Sequence, residues 1–116
     1  IYVFKRGERR MIYAPCDIKP FPEHREELQG ADLLVIQPGI FEQGLQHGYY
    51  YPRDHISRKT LYTFLETLDL SGRIRASRVL FVHLEEYWNR SYDDYRALEA
   101  GLHHARFAYD GMRVTV

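Results

Sequence analysis

The stretch Asp32-Leu33-Leu34-Val35-Ile36-Gln37-Pro38 decides the fold, because it places four consecutive apolar residues between an aspartate and a proline. A continuous apolar run of this length is typical of a strand that is buried on both faces. The run Val79-Leu80-Phe81-Val82, which ends at His83, predicts a second strand of the same kind. Such strands, with helical patterns between and after them, predict a layered α/β arrangement.

The residues before the first buried strand predict a hairpin and a short helix. Tyr2–Phe4 and Met11–Tyr13 are strand-like, and the polar segment Arg6–Glu8 between them predicts a turn. A helix is predicted from about Pro22 to Gln29, because proline is favoured at the first helical position. Gly30 is its expected carboxyl-terminal stop.

The residues between the two buried strands predict a long loop and then a helix. Residues 37–53 form the loop, and its tyrosine triplet, residues 49–51, could stack on a substrate ring or pack on another part of the protein. The helix is predicted to be capped by Ser57 and stopped at Ser71-Gly72. Its apolar stripe consists of Leu61, Phe64, Leu65 and Leu68.

The residues after the second buried strand predict one more helix and a closing hairpin. Ser91 and Asp94 form a capping-box pattern. Asp110-Gly111 lies between the apolar segments Arg106–Tyr109 and Met112–Val116, which is a strong hairpin signal. The inner face of the helix is assigned to Tyr95, Leu98 and Leu102. The predicted order of elements is β-β-α-β-α-β-α-β-β.

Composition narrows the class of protein. The chain has 116 residues, 16 basic and 16 acidic side chains and one cysteine, which suits one domain without an internal disulfide. The balanced charge gives no reason to expect nucleic-acid binding, and no apolar run is long enough for a membrane span. The expected location is the cytoplasm. The chain opens at Ile1 inside a strand-like run, which suggests a processed chain or a piece of a longer protein.

Three polar residues follow or flank the predicted strands, where functional groups of layered sheets gather. They are Asp17, His55 and His83. One aspartate and two histidines from separate segments make up the donor types of a zinc or manganese hydrolase site. Each also has a structural interpretation. The aspartate could form a turn, and the histidines could be structural side chains whose hydrogen bonds are satisfied within the protein.

Four neighbours of these residues could assist. Cys16 is a soft metal ligand, a reactive thiol or a small buried side chain, and Glu85 is a ligand, a support for a ligand or a solvated charge. Arg58 lies in the first turn of the predicted helix, where it could bind an anion beside His55 or remain exposed. Arg53 lies on the approach to the same histidine.

Four segments in order resemble the carboxyl-terminal half of metallo-β-lactamase-fold hydrolases, and the resemblance covers nearly the whole chain. Tyr13–Asp17 resembles the strand that delivers the family's metal-bridging aspartate, and Gly30–Ile36 resembles its next strand. Val79–His83 resembles the strand that ends in the last metal-binding histidine. Phe107–Met112 resembles the closing hairpin of the phosphodiesterase branch. Pro52–His55 is similar to the corresponding segment of phosphoribosyl cyclic phosphodiesterase and, more distantly, ribonuclease Z.

The resemblance implies half of a four-layer αββα sandwich, a mixed sheet with flanking helices that spans residues 1–116. It implies that Asp17 bridges two divalent metal ions, that His83 binds one, and that His55 assists the leaving group. The ions are expected to be zinc, with manganese or iron as alternatives. The substrate would be a small phosphodiester, which Arg53 and Arg58 would help to bind, and Cys16 and Glu85 would be further metal or supporting ligands.

Two features depart from the family pattern. The His-x-His-x-Asp-His signature is absent from this sequence, so the chain alone is expected to be inactive and to need the missing N-terminal half as its partner. Cys16 also precedes Asp17, where it could take the ligand role itself. The alternatives are a non-catalytic α/β binding or scaffold module and a degenerate family member. We expect an exposed apolar sheet face, unless another copy of the chain covers it.

Overall fold

The computed structural model describes residues 1–16, 18–42 and 51–116. In that part of the chain, one mixed sheet has the strand order β1-β2-β3-β4-β5. The strands are β1 (Tyr2–Arg6), β2 (Arg9–Ala14), β3 (Leu33–Ile36), β4 (Val79–Phe81) and β5 (Ala105–Phe107). The helices are α1 (Phe64–Arg73) and α2 (Tyr92–Glu99), with short 3₁₀ helices at Glu26–Leu28, Ile56–Lys59 and Glu86–Trp88.

The first two strands form the predicted hairpin, which places Tyr2 opposite Tyr13. Gly7 has a φ of +57° at the turn, a conformation that glycine adopts without a steric penalty. Strands β2 to β5 are all parallel, and each pairs with the next one along the chain. The α/β class predicted from the buried runs is therefore confirmed.

The consecutive order of the parallel strands puts helices α1 and α2 on one side of the sheet. Crossovers between parallel strands are right-handed, so strands that are added in one direction carry their connections on the same face. The side chains on that face form the core and are no more than 2 % exposed. This core face consists of Ile12, Ala14, Leu34, Ile36, Val79, Phe81, Ala105 and Phe107.

Aromatic rings from the connections cover the core face. The ring of Phe64 in α1 lies 5.5 Å from that of Phe81 and 6.0 Å from that of Phe107, centroid to centroid. Tyr95 in α2 lies 4.8 Å from Phe107. Phe41 extends this layer at 5.1 Å from Phe64. Burial of these large rings supplies much of the folding free energy, because it scales with the apolar area removed from water.

The opposite side of the sheet, here called the second face, carries the alternate residues of the strands. Its members are Tyr2, Phe4, Met11, Tyr13, Leu33, Val35, Leu80 and Arg106. Tyr2, Phe4 and Tyr13 are 66 %, 52 % and 37 % exposed, whereas Leu33 and Val35 in the central strand are buried. The expected exposed apolar face is therefore present toward the β1 side of the sheet.

The predicted helix at residues 22–29 is wrong in extent. Only Glu26–Leu28 are helical, and Arg25 before them is extended. Leu28 is the one buried side chain of that turn, so the segment has no apolar stripe to hold a longer helix on the sheet.

The predicted boundaries of the next helix are also wrong. Helix α1 is capped by Thr63, whose Oγ1 accepts from the Glu66 amide at 3.2 Å, while the Glu66 carboxylate accepts from the Thr63 amide at 2.9 Å. This reciprocal pair satisfies two amides that Ser57 cannot reach. Ser71 lies inside the helix, buried, and donates to the Leu68 carbonyl at 2.7 Å. The stripe is rotated too, because Leu65 is exposed and Thr67 and Leu70 are buried.

The capping box at the second helix is confirmed, since Ser91 and Asp94 make both reciprocal bonds at the start of α2. Tyr95 is buried as predicted, and Leu98 and Leu102 are partly buried.

The predicted closing hairpin is wrong. Gly111 adopts the turn conformation with a φ of +84°, but no strand follows it. Strand β5 ends before the turn begins, so no ladder exists for residues 112–116 to extend.

The long loop predicted at residues 37–53 is partly structured. Ile40 and Phe41 are fully buried, and Ile40 forms an isolated bridge with Thr63. Tyr49 and Tyr50 lie outside the described residues. None of the helices in the described part of the chain has the length and apolarity needed to cross a membrane.

Candidate functional site

The carboxyl ends of the parallel strands meet at one edge of the sheet, and the sequence-predicted site residues follow those ends. Pro15 and Cys16 come directly after β2, and Val82 and His83 come directly after β4. Open α/β sheets bind ligands at this edge, because loops there present groups that the strands hold in place. Asp17, the predicted bridging ligand, lies outside the described residues.

His83 joins two of these loops. Its Nδ1 lies 3.2 Å from the carbonyl oxygen of Pro15, which is 68 positions earlier in the chain. Its Nε2 lies 2.9 Å from Oε1 of Glu85. The backbone at His83 is left-handed, with a φ of +58°, a conformation that costs energy for a residue with a side chain and that clusters at functional sites.

The two contacts of His83 constrain its protons. A carbonyl and a carboxylate both accept, so both contacts are hydrogen bonds only when each ring nitrogen carries a hydrogen. In the neutral ring with Nδ1–H donated to Pro15, the lone pair of Nε2 faces the carboxylate of Glu85. Either a proton or a cation at that position relieves the repulsion, and a histidine ligand held from behind by a carbonyl is the usual arrangement in metal sites.

The donor types at this point suit zinc, which binds imidazole nitrogen and carboxylate oxygen. Their number does not suffice, because zinc takes about four ligands. Among residues 1–16, 18–42 and 51–116, no group of three or more histidine, cysteine, aspartate or glutamate side chains is placed to hold a metal ion. Cys16 is exposed beside Pro15, so its interpretation as a small buried side chain is wrong.

The sequence predicted Ser57 as a helix cap, but the capping residue in this segment is His55. It caps the 3₁₀ helix Ile56–Lys59, with Nδ1 accepting from the Ser57 amide at 3.2 Å. In the neutral ring this places the hydrogen on Nε2, which is then available as a donor. Tyr51 packs against the ring at 4.6 Å, centroid to centroid, and also lies 5.7 Å from the ring of Trp88.

Arg58 holds the loop of His55 together. Its Nε donates to the Pro52 carbonyl and its Nη2 to the Tyr51 carbonyl, both at 2.7 Å. Because Arg58 uses these donors within the loop, its main role is to position His55, and fewer of its donors remain for an anion. Arg53 is exposed on the same loop.

Sequence reasoning missed three features around this edge. Trp88 bridges the His55 loop and the core, since its ring lies 5.3 Å from Phe41. Arg90 lies over the Phe41 ring at 4.8 Å, and burial lowers its pKa. The carbonyl of Pro15 orients His83, and no side-chain pattern signals a backbone contact over that separation.

The described chain thus brings Pro15, His83 and Glu85 together and connects His55 to the segment that follows them through Tyr51 and Trp88. No protein-family model, no curated protein and no solved structure matches the chain.

Proposed function

We propose that this chain is the carboxyl-terminal half of a metal-dependent hydrolase with a four-layer αββα sandwich, and that the complete protein cleaves a phosphodiester. The observation that carries the proposal is the one-sided sheet, whose helices α1 and α2 both pack on the core face. One-sided sheets bury their other face against a second layer. A second half of the same construction would supply that layer.

The second face supports this arrangement. Tyr2, Phe4 and Tyr13 leave large apolar areas in water at the β1 side, and burying such area is the main driving force of association. The four layers would then be helices, this sheet, the sheet of the N-terminal half and its helices. The single cysteine favours a reducing compartment, so we place the protein in the cytoplasm.

The proposed metal centre lies at the carboxyl edge. Asp17 and His83 would hold two divalent ions, taken to be zinc, with Cys16 and Glu85 as further donors and the remaining ligands from the N-terminal half. The ions supply a nucleophilic water and charge neutralisation at the phosphorus. Pro15 orients the His83 ring through Nδ1, so Nε2, which contacts Glu85 in this structure, is the nitrogen that would bind the ion.

His55 is the residue proposed to assist the leaving group. Its Nδ1 accepts from the Ser57 amide, so the neutral ring carries its hydrogen on Nε2, which would donate a hydrogen bond to the departing oxygen. Arg58 fixes the loop, and the exposed Arg53 is the side chain of this loop that would meet the phosphodiester anion.

Metal analysis of the full-length protein tests the proposal. We expect bound zinc or a related divalent metal, reduced in Asp17→Ala and in His83→Ala and unchanged in the control His24→Ala, an exposed histidine outside the proposed ligand set. The metal-loaded protein should hydrolyse bis(p-nitrophenyl) phosphate, and His55→Ala should lower kcat while the metal remains bound. A full-length protein without transition metal would refute the proposal, as would a metal content that is unchanged in both Asp17→Ala and His83→Ala.

A second candidate function is a non-catalytic α/β binding or scaffold module. The observation that favours it is that Pro15 and Glu85 already contact both nitrogens of His83, as they would for a purely structural histidine. The same measurements separate the two candidates. Under the scaffold function, His83→Ala lowers stability but changes no metal content, and no diester hydrolysis is detected. A degenerate hydrolase would bind metal without hydrolysis.

A further inference from the structure

A basic cavity of about 690 Å³ lies at the edge of the sheet opposite to His83. It is bounded by the amino-terminal ends of β4 and β5, the last turn of α2 and residues 112–115. Arg78, directly before β4, lies on its wall, and His83 follows the other end of that strand. The three residues of β4 between them span roughly 10 Å, so the cavity and the proposed metal edge lie at opposite ends of the strand.

The charged lining of the cavity is strongly positive. Four arginines and one glutamate leave an excess of three positive charges with the histidines neutral, in a chain whose formal net charge is zero. The charged residues are Arg78, Arg96, Arg106, Arg113 and Glu99. Clefts lined by one sign of charge concentrate ligands of the opposite sign.

The arginines are not equally occupied. Glu99 accepts from Arg96 at 2.8 Å and from Arg106 at 3.3 Å, and Arg96 also donates to the Phe107 carbonyl at 2.6 Å. Arg78 donates to the Thr115 carbonyl with one of its nitrogens, at 2.8 Å. Most of the five N–H donors of its exposed guanidinium therefore make no contact with Thr115.

Arg113 is the least engaged of the four. Its side chain has no hydrogen bond or ion pair to any residue in the described part of the chain, and the residue is exposed at the cavity rim. Arg78 and Arg113 therefore supply guanidinium donors that a bound anion could use.

The rest of the lining is largely apolar. It includes Leu33 and Leu80 from the second face and Met112 and Val114 from the last residues of the chain. Pockets that combine apolar walls with a few convergent polar groups, at volumes of about 300 to 1,000 Å³, are typical of small-molecule sites.

We propose that this cavity binds a small organic phosphate monoester, with the phosphate on Arg78 and Arg113 and an apolar or aromatic body against Leu33 and Leu80. A phosphate monoester carries close to two negative charges at neutral pH, which matches an excess of three positive charges better than a single carboxylate does. Arginine also pairs with phosphate through two parallel hydrogen bonds. The site does not depend on the proposed metal centre.

Phenyl phosphate is the probe, because it combines the dianion with an aromatic body. We expect it to shift the amide resonances of Ala100, His103 and Val114 at the cavity in ¹H–¹⁵N spectra of the protein. Arg113→Gln and Arg78→Gln should each weaken its binding by about tenfold, the loss expected for one charge-assisted hydrogen-bonding partner. The control Arg6→Gln makes the same charge change at the exposed end of β1 and should bind as the unaltered protein does.

Three results would overturn the proposal. They are the absence of any shift at the cavity residues, an equal loss of affinity in Arg6→Gln, and equal affinities for phenyl phosphate and inorganic phosphate or for phenyl phosphate and benzyl alcohol. The last pair of controls separates recognition of the whole monoester from recognition of one of its parts. If Arg78→Gln displaces residues 112–116, because the Thr115 contact is lost, Arg113→Gln decides the outcome.

Discussion

Two neighbouring leucines in β3 provide a direct test of the one-sided sheet. Leu34 and Leu33 are 0 % and 3 % exposed, but they point to opposite faces. Leu34 lies between Ile12 and Val79 in the core, under the connections that cover that face. Leu33 lies on the second face and lines the basic cavity.

The two truncations to alanine should therefore differ in cost. In Leu34→Ala the surroundings are packed, so the lost transfer free energy adds to the cost of a dry void, and we expect a loss of about 3 to 5 kcal/mol in the free energy of unfolding. In Leu33→Ala the space joins an existing open cavity, so only the transfer contribution remains, about 2 kcal/mol. The difference should be about 2 kcal/mol.

Urea denaturation of the 116-residue chain, followed by circular dichroism, measures both losses. Because the two substitutions remove the same atoms from adjacent positions of one strand, the change in intrinsic β propensity is the same in both and cancels in the comparison. Equal losses, or a larger loss for Leu33→Ala, would refute the reasoning that only one face is tightly packed.

Three further outcomes follow from local geometry. Gly39→Ala should lower the free energy of unfolding by more than about 3 kcal/mol, because φ is +82° and a Cβ would lie 2.2 Å from a backbone carbonyl oxygen; thermal melting reports it. Thr63→Ala should cost about 1 kcal/mol in urea denaturation, and Ser57→Ala, at the predicted but incorrect cap, should cost much less. Hydrogen bonds from Arg73 lower the pKa of Glu23 from its ordinary value of 4.5, so this stabilisation is complete above that pH and is lost as pH falls through the lowered pKa. In acid titrations of stability, Arg73→Gln should show a shallower decline, and an unchanged slope would contradict the assignment.

The elements that sequence reasoning placed correctly are those whose signal is local. The run Leu33–Ile36 predicted a strand buried on both faces, and all four side chains are buried. Ser91 was identified as a cap because its partner lies three residues away and the pattern needs no other part of the chain. Thr63 carries the same pattern with Glu66, but the leucine at position 61 favoured an earlier start, and only packing against Phe81 decides where the apolar stripe begins.

The contacts of the candidate site join parts of the chain that are far apart in sequence. The sequence therefore predicted which residues belong to the site but not which contacts they make. The position of His83 after a buried strand indicated the correct edge of the sheet. Its partner, the Pro15 carbonyl, is a backbone group that every residue possesses, and therefore leaves no mark in the sequence. The role of Arg58 was open for the same reason, since the carbonyls that it binds belong to the loop and not to a ligand.

The same strand order that simplifies the fold also separates its functional surfaces. Because β2 to β5 are added in one direction, α1 and α2 pack on the core face, and the β1 side of the second face stays exposed. Because the strands are parallel, their carboxyl ends gather His83 and the loop of Cys16 at one edge, while Arg78 and the end of α2 gather at the other. A metal site at the first edge and an anion site at the second would share β4 as a common support, with no side chain in both. Substitutions that abolish metal binding should therefore leave phenyl phosphate affinity intact, and the reverse should also hold.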